Sequence, residues 1–191
     1  MSDKSPILLW YRRDLRLSDH PALSAAANAG RPVIPVFIKD KSVNALGAAP
    51  KWRLGLGIGA LADSLEGVSS RLLLREGDAL EVLQALIKET GAGAVYWSRL
   101  YDPDSVQRDS KIKEILCSDG IEAKSFGGHV MFEPWTVETK AGDCYKVYTP
   151  FWNNVKTRDV EPPLSAPSDL PAPESWPDSD ALDGWGLGAA R

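Results

Sequence analysis

Five short apolar runs, each followed by a stretch of different periodicity, constrain this chain more than any other feature of it. Runs of strand length fall at 7–11, 33–38, 72–74, 94–97 and 121–126, and the first, second and fourth (ILLWY, VIPVFI, AVYW) are almost continuously apolar. A strand with one face in water alternates apolar and polar residues, whereas a run that is apolar throughout has both faces covered. Helical spacings between the runs supply the covers, and this alternation reads as βαβ units in a parallel sheet.

Four helices are expected. The first starts near Asp19, which can cap it, carries Pro21 in its opening turn and stops at Gly30. The second covers 50–66, with Leu54, Ile58, Leu61 and Leu65 forming an inward stripe. Gly55, Gly57 and Gly59 sit inside it; each costs about 1 kcal/mol relative to alanine, so they imply close approach of a neighbour or a ligand. Asp78 caps the third helix, whose Leu80, Leu83 and Ile87 face the sheet, and the fourth follows Pro103 with Val106, Ile112, Ile115 and Leu116 inward. Residues 127–146 read as a loop, and an aromatic segment then runs to about Asp159. From Glu161 the chain holds six prolines, five further acidic residues and no basic residue before Arg191. Such a stretch buries too little apolar surface to offset its ordering entropy, and 160–191 reads as a linker following a domain at 5–159.

The totals exclude several classes. With 191 residues, 43% of them hydrophobic, the chain suits one ordinary domain and a tail. No charged-then-apolar leader follows Met1 and no run reaches the length of a membrane span, so a cytoplasmic protein with no membrane contact is expected. Cys117 and Cys144 stand apart without CxxC spacing, which gives no disulfide framework and no metal site; Cys117 reads as a small, at least half-buried filler of the fourth helix. A net charge of -4 argues against a major nucleic-acid surface on this piece. The glycine string GxGxG lies within a helix rather than in the first strand-to-helix turn, so it is no dinucleotide fingerprint, and no Walker A loop is present.

That first turn is instead WYRRDLRLSDHPAL, residues 10–23. Its Arg12, Arg13 and Arg16 either bind an anion or form an ion-pair lattice around Asp14, and the lattice is the favoured reading. His20 belongs to the helix start; neither it nor His129 has a nucleophile in an elbow sequence beside it. Trp10, Trp97, Trp135 and Trp152 read as core aromatics, and Trp176 and Trp185 as linker residues able to dock on a domain. A ligand site in such a sheet lies outside the carboxyl ends of the strands, which here means Arg12 and Arg13, residues 37–40 and residues 100–105.

The same turn resembles the opening signature of the DNA photolyase and cryptochrome family. VYWSRLYDPDSVQRD, residues 95–109, is similar to that family's fourth strand and following helix, and YKVYTPFW, residues 145–152, to the run that leaves its first domain. The resemblance covers 5–159. It implies an α/β, Rossmann-like, doubly wound five-stranded parallel sheet with helices on both faces. It also implies an antenna domain that holds a light-harvesting chromophore: a reduced folate, a deazaflavin or FMN. Phe37 would pack on the planar ring and Arg53 would meet a phosphate or carboxylate, with Asp102, Asp104 and Ser105 completing the candidate pocket. Folate-type members have asparagine and glutamate where this chain has Asp104 and Ser105, and deazaflavin-type members have aspartate and glycine where it has Leu100 and Ser105, so the chromophore stays open. Asp102 and Asp104 have a simpler use as helix caps. The family's catalytic half, a helical domain holding FAD, has no counterpart in these residues, so no catalytic residue is expected here. The resemblance therefore implies a fragment of a deoxyribodipyrimidine photolyase that, at full length, acts on damaged DNA. A cryptochrome photosensor, or a free-standing nucleotide-binding module of universal-stress or electron-transfer-flavoprotein type, would share the sheet.

Overall fold

The computed structural model describes residues 5–187. Its centre is a five-stranded sheet, all parallel, of order β3-β2-β1-β4-β5: β1 Ile7–Tyr11, β2 Val33–Lys39, β3 Leu73–Glu76, β4 Ala94–Ser98 and β5 Glu122–Phe126. The expected fold class holds, with strand ends displaced by a residue or two. β1 and β4 are buried at every position, as their unbroken apolar runs require. Alternate residues feed two separate cores. Ile7, Leu9, Tyr11, Val33 and Phe37 pack under α1 (Pro21–Ala27) and α3 (Ala48–Glu66); Leu8, Trp10, Ile34, Val36 and Trp97 pack under α4 (Ala79–Thr90) and α5 (Pro103–Ser118).

Several local expectations are corrected. Asp19 adopts a left-handed φ of 49° and stands one residue too early to cap; His20 caps α1, its Nδ1 accepting from the Leu23 amide at 3.1 Å. A short helix, α2 (Lys41–Asn44), follows β2 and is capped by Asp40. The remaining helix, α6 (Tyr148–Val155), forms within the aromatic segment. Val106 faces solvent rather than the core, because the inner face of α5 is given to Ser105 and Asp109 in its first turns. Cys117 is exposed, not a filler. Of the four tryptophans read as core, Trp10 and Trp97 are buried and Trp135 and Trp152 are not. Gly57 explains part of the glycine string: a Cβ there would stand 3.0 Å from Leu15 Cδ1, so α3 packs tightly on a neighbour rather than on a ligand.

The proline-rich stretch is not a free tail. It begins beside the Asp19 turn, where the Asp19 amide donates to Leu164 O, and reaches the amino ends of the strands, where Leu170 N donates to Val68 O and Pro171 O accepts from Val33 N. It then runs up the outer edge of β3: Arg71 binds Pro177 O, Leu74 N donates to Ser179 Oγ, and Asp180 N donates to Leu74 O. Three apolar anchors, Leu170, Trp185 and Leu187, are buried in the first core. Composition argued for disorder; the edge of β3, whose backbone groups need partners, supplies the compensating contacts. Among the described residues no helix is long and apolar enough to cross a membrane.

Candidate functional site

A cleft opens at the carboxyl ends of β1 and β2, between α2, the start of α3 and the first turns of α5. Trp10, Arg12, Arg13, Phe37, Asp40 and Arg108 are among the residues that line it, and it encloses about 540 Å3, mouth included. A larger groove, about 1270 Å3, lies at the opposite end between Pro32 and the strap prolines 171, 173 and 177. Size favours the groove, but open α/β sheets bind ligands at the carboxyl ends of their strands, and the cleft there is backed by a chain of alternating charges.

That network alternates in sign. The Arg12 guanidinium, buried behind β1, pairs with Asp109 of α5 at 2.5 Å and donates to the Ser98 carbonyl at the end of β4. Arg108 reaches the other Asp109 oxygen at 2.8 Å and Asp40, the α2 cap, at 3.0 Å. Asp40, Arg108, Asp109 and Arg12 thus form a chain of two cations and two anions joining β2, α5, β1 and β4. Both guanidiniums lie over the Trp10 indole, at 4.6 and 5.2 Å from the ring centroid. Burial lowers the Arg12 pKa from its ordinary value, with Asp109 opposing, but an arginine so paired keeps its charge. Trp10 Nε1 is buried with no acceptor among the described residues.

The arginine turn is pinned as expected but by other partners. Asp14 contacts no guanidinium; it accepts from the Arg12 amide at 2.9 Å and pairs with His20 Nε2 at 2.8 Å. Because His20 Nδ1 is an acceptor, its proton sits on Nε2, facing the carboxylate. Burial works against the Asp14 charge, but the close approach of His20, the Ser98 hydroxyl and the Arg12 amide together hold the carboxyl well below the usual range. Arg16 binds the carbonyls of Ser18, Asp19 and Gly128. Arg13 alone of the three turns outward, 63% exposed, with Asp102 at 3.3 Å on the cleft rim.

Of the five residues expected to form the pocket, Phe37 and Ser105 line the cleft and Arg53, Asp102 and Asp104 do not. Arg53 points to solvent from α3. Asp102 caps α5 through the Ser105 amide at 3.1 Å, and Asp104 is an exposed residue of its first turn. Sequence reasoning passed over Trp10, Arg108 and Asp109 as site residues. A signal for the latter existed, since Ser105, Asp109 and Ile112 recur at helical spacing and share the inner face of α5. Among the described residues no cluster of histidine, cysteine or carboxylate side chains has the form of a metal site. The arrangement can admit a planar ring only at the edges of Trp10 and Phe37, which are 1% and 2% exposed, in a cleft whose inner charges are internally neutralised, with Arg13, beside Asp102, at the rim for an anionic group.

A sequence profile of the DNA photolyase family matches residues 7–173. A deoxyribodipyrimidine photo-lyase of Agrobacterium fabrum is 46% identical over 185 residues, which span 96% of this chain and 38% of that protein. Cryptochrome-1 of Arabidopsis thaliana is 34% identical over 85% of this chain and 25% of its own length. Among solved structures, a bacterial class III photolyase from Agrobacterium tumefaciens superposes with a TM-score of 0.93 at 45% identity, over 97% of this chain and 39% of its own. An archaeal photolyase from Sulfolobus tokodaii, solved with two FAD molecules, gives a TM-score of 0.75 at 26% identity, covering 97% and 42%. The chain spans about two-fifths, or less, of the length of these relatives.

Proposed function

The chain belongs to the DNA photolyase family, and we propose that it is the light-harvesting domain of a deoxyribodipyrimidine photolyase, with the carboxyl-end cleft as its chromophore site. The observation that carries this reading is the Trp10 cleft: an aromatic floor held rigid by a closed ion-pair chain, placed where an open α/β sheet admits ligands, in a fold matching a class III photolyase at a TM-score of 0.93. Phe37 and Trp10 would flank the ring, Ser105 would offer a hydroxyl, Trp10 Nε1 its unused donor and Arg13 a cation to a carboxylate or phosphate. These groups suit a reduced folate, a deazaflavin or FMN. When bound, such a group supplies light absorption and passes excitation on. Arg53, Asp102 and Asp104 remain candidates only for a ligand that extends beyond the cleft.

In the full-length protein, a helical domain beyond 160–191 would hold FAD, and its reduced flavin would donate an electron to a cyclobutane pyrimidine dimer in damaged DNA. The bacterial source of the matching class III photolyase favours a cytoplasmic location, where a bacterial chromosome lies. Domain 5–159 would dock on the helical domain through its most apolar exposed face, where Met131, Trp135, Val147, Tyr148 and Trp152 all show nearly half or more of their surface to solvent.

Titrating the purified chain separately with a reduced folate, a deazaflavin and FMN, followed by chromophore fluorescence, tests the site. Saturable binding of one, weakened at least tenfold by Phe37→Ala, is expected; binding of none would count against it. The chain alone is expected to leave dimers unrepaired under blue light, and repair by it would overturn the division of labour. A cryptochrome photosensor is the second reading, favoured by the 34% identity to cryptochrome-1, and a full-length protein unable to repair dimers would select it.

A further inference from the structure

The strap ends against the cleft's own wall. After leaving the β3 edge it makes a single helical turn, Leu182–Trp185, closed by Gly186 at a φ of 63°, a left-handed turn that only glycine adopts without strain. This turn directs Trp185 inward, 8% exposed, with its ring 6.1 Å from that of Phe37. Lys39, held by Glu76 at 3.0 Å, lies over the Trp185 ring at 5.8 Å from its centroid. Leu182 sits against α3, close enough that a Cβ on Gly59 would touch it at 4.0 Å. Phe37 and Leu54 line the cleft, and both belong to the apolar cluster that contains Leu182 and Trp185. One wall of the cleft, Phe37 of β2, therefore packs on the 182–185 turn of the strap, which also lies against α3, although Trp185 does not line the cleft itself.

We propose that Trp185 is a positioning residue for the cleft: it fixes the Phe37 wall, so that docking of the strap and occupancy of the cleft favour one another. Coupling of this kind is reciprocal by thermodynamic necessity, because whatever strap docking adds to the affinity of the cleft, occupancy returns to the strap. The strap is held by a few hydrogen bonds and by buried apolar side chains rather than by sheet pairing, so it can undock without breaking the sheet. Leu170, at the amino end of the sheet, anchors the same strap far from the cleft and gives an internal control. The positioning of Phe37 stands on the geometry alone; the link to occupancy rests on the cleft being the chromophore site.

Hydrogen exchange on the ligand-free 191-residue chain, comparing wild type with Trp185→Ala, Trp185→Phe and Leu170→Ala, decides the first part. Trp185→Ala is expected to speed exchange about tenfold in residues 37–46, while α5 and β5 keep their protection, and Trp185→Phe is expected to restore most of it. Leu170→Ala should loosen 164–171 and leave 37–46 unchanged. The proposal falls if 37–46 exchanges normally in Trp185→Ala, or if Leu170→Ala disturbs it as much, since the effect would then be one of general stability. Titration with FMN and with a reduced folate decides the second part: the probe that binds wild type is expected to lose about tenfold in affinity in Trp185→Ala and to slow exchange at 179–187 when bound. Unchanged affinity overturns the coupling. If neither probe binds wild type, a deazaflavin takes their place, and binding of none of the three makes the chromophore reading and the coupling fall together, while the exchange result still rules on whether Trp185 fixes Phe37.

Discussion

Trp10 is 1% exposed and Trp152 47%, although each sits against another aromatic ring: Trp10 on Trp97 at 6.1 Å and Trp152 on Tyr148 at 6.3 Å. The two neighbourhoods differ in what completes them. Around Trp10, β1, β2, β4 and α5 each supply a group, and each of the four charged side chains in the chain from Asp40 to Arg12 has an ion-pair partner within the chain. Around Trp152, α6 buries only Val155 and presents Tyr148, Phe151 and Trp152 outward; its polar ties, Arg158 to Thr136 O and to Asn154, hold the patch together without covering it. The first region is a finished site and the second an unfinished surface. The charged network around Trp10 is thus closed within the described residues, while the aromatic face has no covering element among them.

Asp109→Ala attacks the finished region where it is most vulnerable. It leaves Arg12 buried with only a carbonyl partner and Arg108 with half of its contacts, and removing one member of a buried pair costs about 3–5 kcal/mol because an uncompensated charge remains behind. Urea denaturation should show that loss as a lower midpoint with an unchanged slope. Asp109→Asn, which still offers an oxygen to Arg12, should fall between the variant and wild type. A loss under about 1 kcal/mol would mean that the network behaves as a surface lattice, and the contrast with α6 would lose its basis.

Asp14 provides the next largest effect and a pH signature. Its folded pKa lies below the unfolded value of about 3.9, so the unfolded chain binds more protons on acidification. Its contribution to stability is therefore complete above that value and is lost as the pH falls through the folded pKa. Asp14→Asn should cost about 2 kcal/mol at pH 7, the scale of a hydrogen bond to a charged group. The gap between variant and wild type, read from denaturation midpoints at pH 7, 5 and 3, should stay open at 5 and begin to close by 3. A gap independent of pH would show that Asp14 acts through shape alone.

The sheet was legible in the sequence because burial on both faces leaves a period-free apolar run, and three such runs, with two weaker ones at βαβ spacing, admit few alternatives. The site was half legible. Phe37 and Ser105 followed from the rule that places ligands beyond the strand ends, but Asp109 sits mid-helix, and its spacing from Ser105 and Ile112 marks only an inward face, not a partner, Arg12, that is 97 residues away. Asp14 shows the same limit in reverse: three neighbouring arginines were the obvious partners by sequence, and the histidine six residues on was the one the turn brought to it. Composition read the strap as a linker, with only Trp176 and Trp185 marked as able to dock, as both do. Its order comes from the unpaired β3 edge and from Leu170, Trp185 and Leu187, three anchors too sparse to register as periodicity.

The smallest effect is expected where exposure is greatest, and it sharpens the comparison most. Trp152→Ser removes an indole that is nearly half solvated from a helix end, so the stability of this chain should shift by no more than about 0.5 kcal/mol, as for surface substitutions without a special role. If the face is an interface, the same change in a protein extended by the remainder of its family length should cost about 2 kcal/mol or more, the scale of a central aromatic in a packed contact. Denaturation of the two forms side by side measures the difference. Equal small losses in both would make α6 an ordinary solvated helix and its aromatic stack an incidental one; a large loss already in the 191-residue chain would mean that Trp152 supports the loop at 131–136 from within, and that the surface around it is structural rather than waiting for a partner.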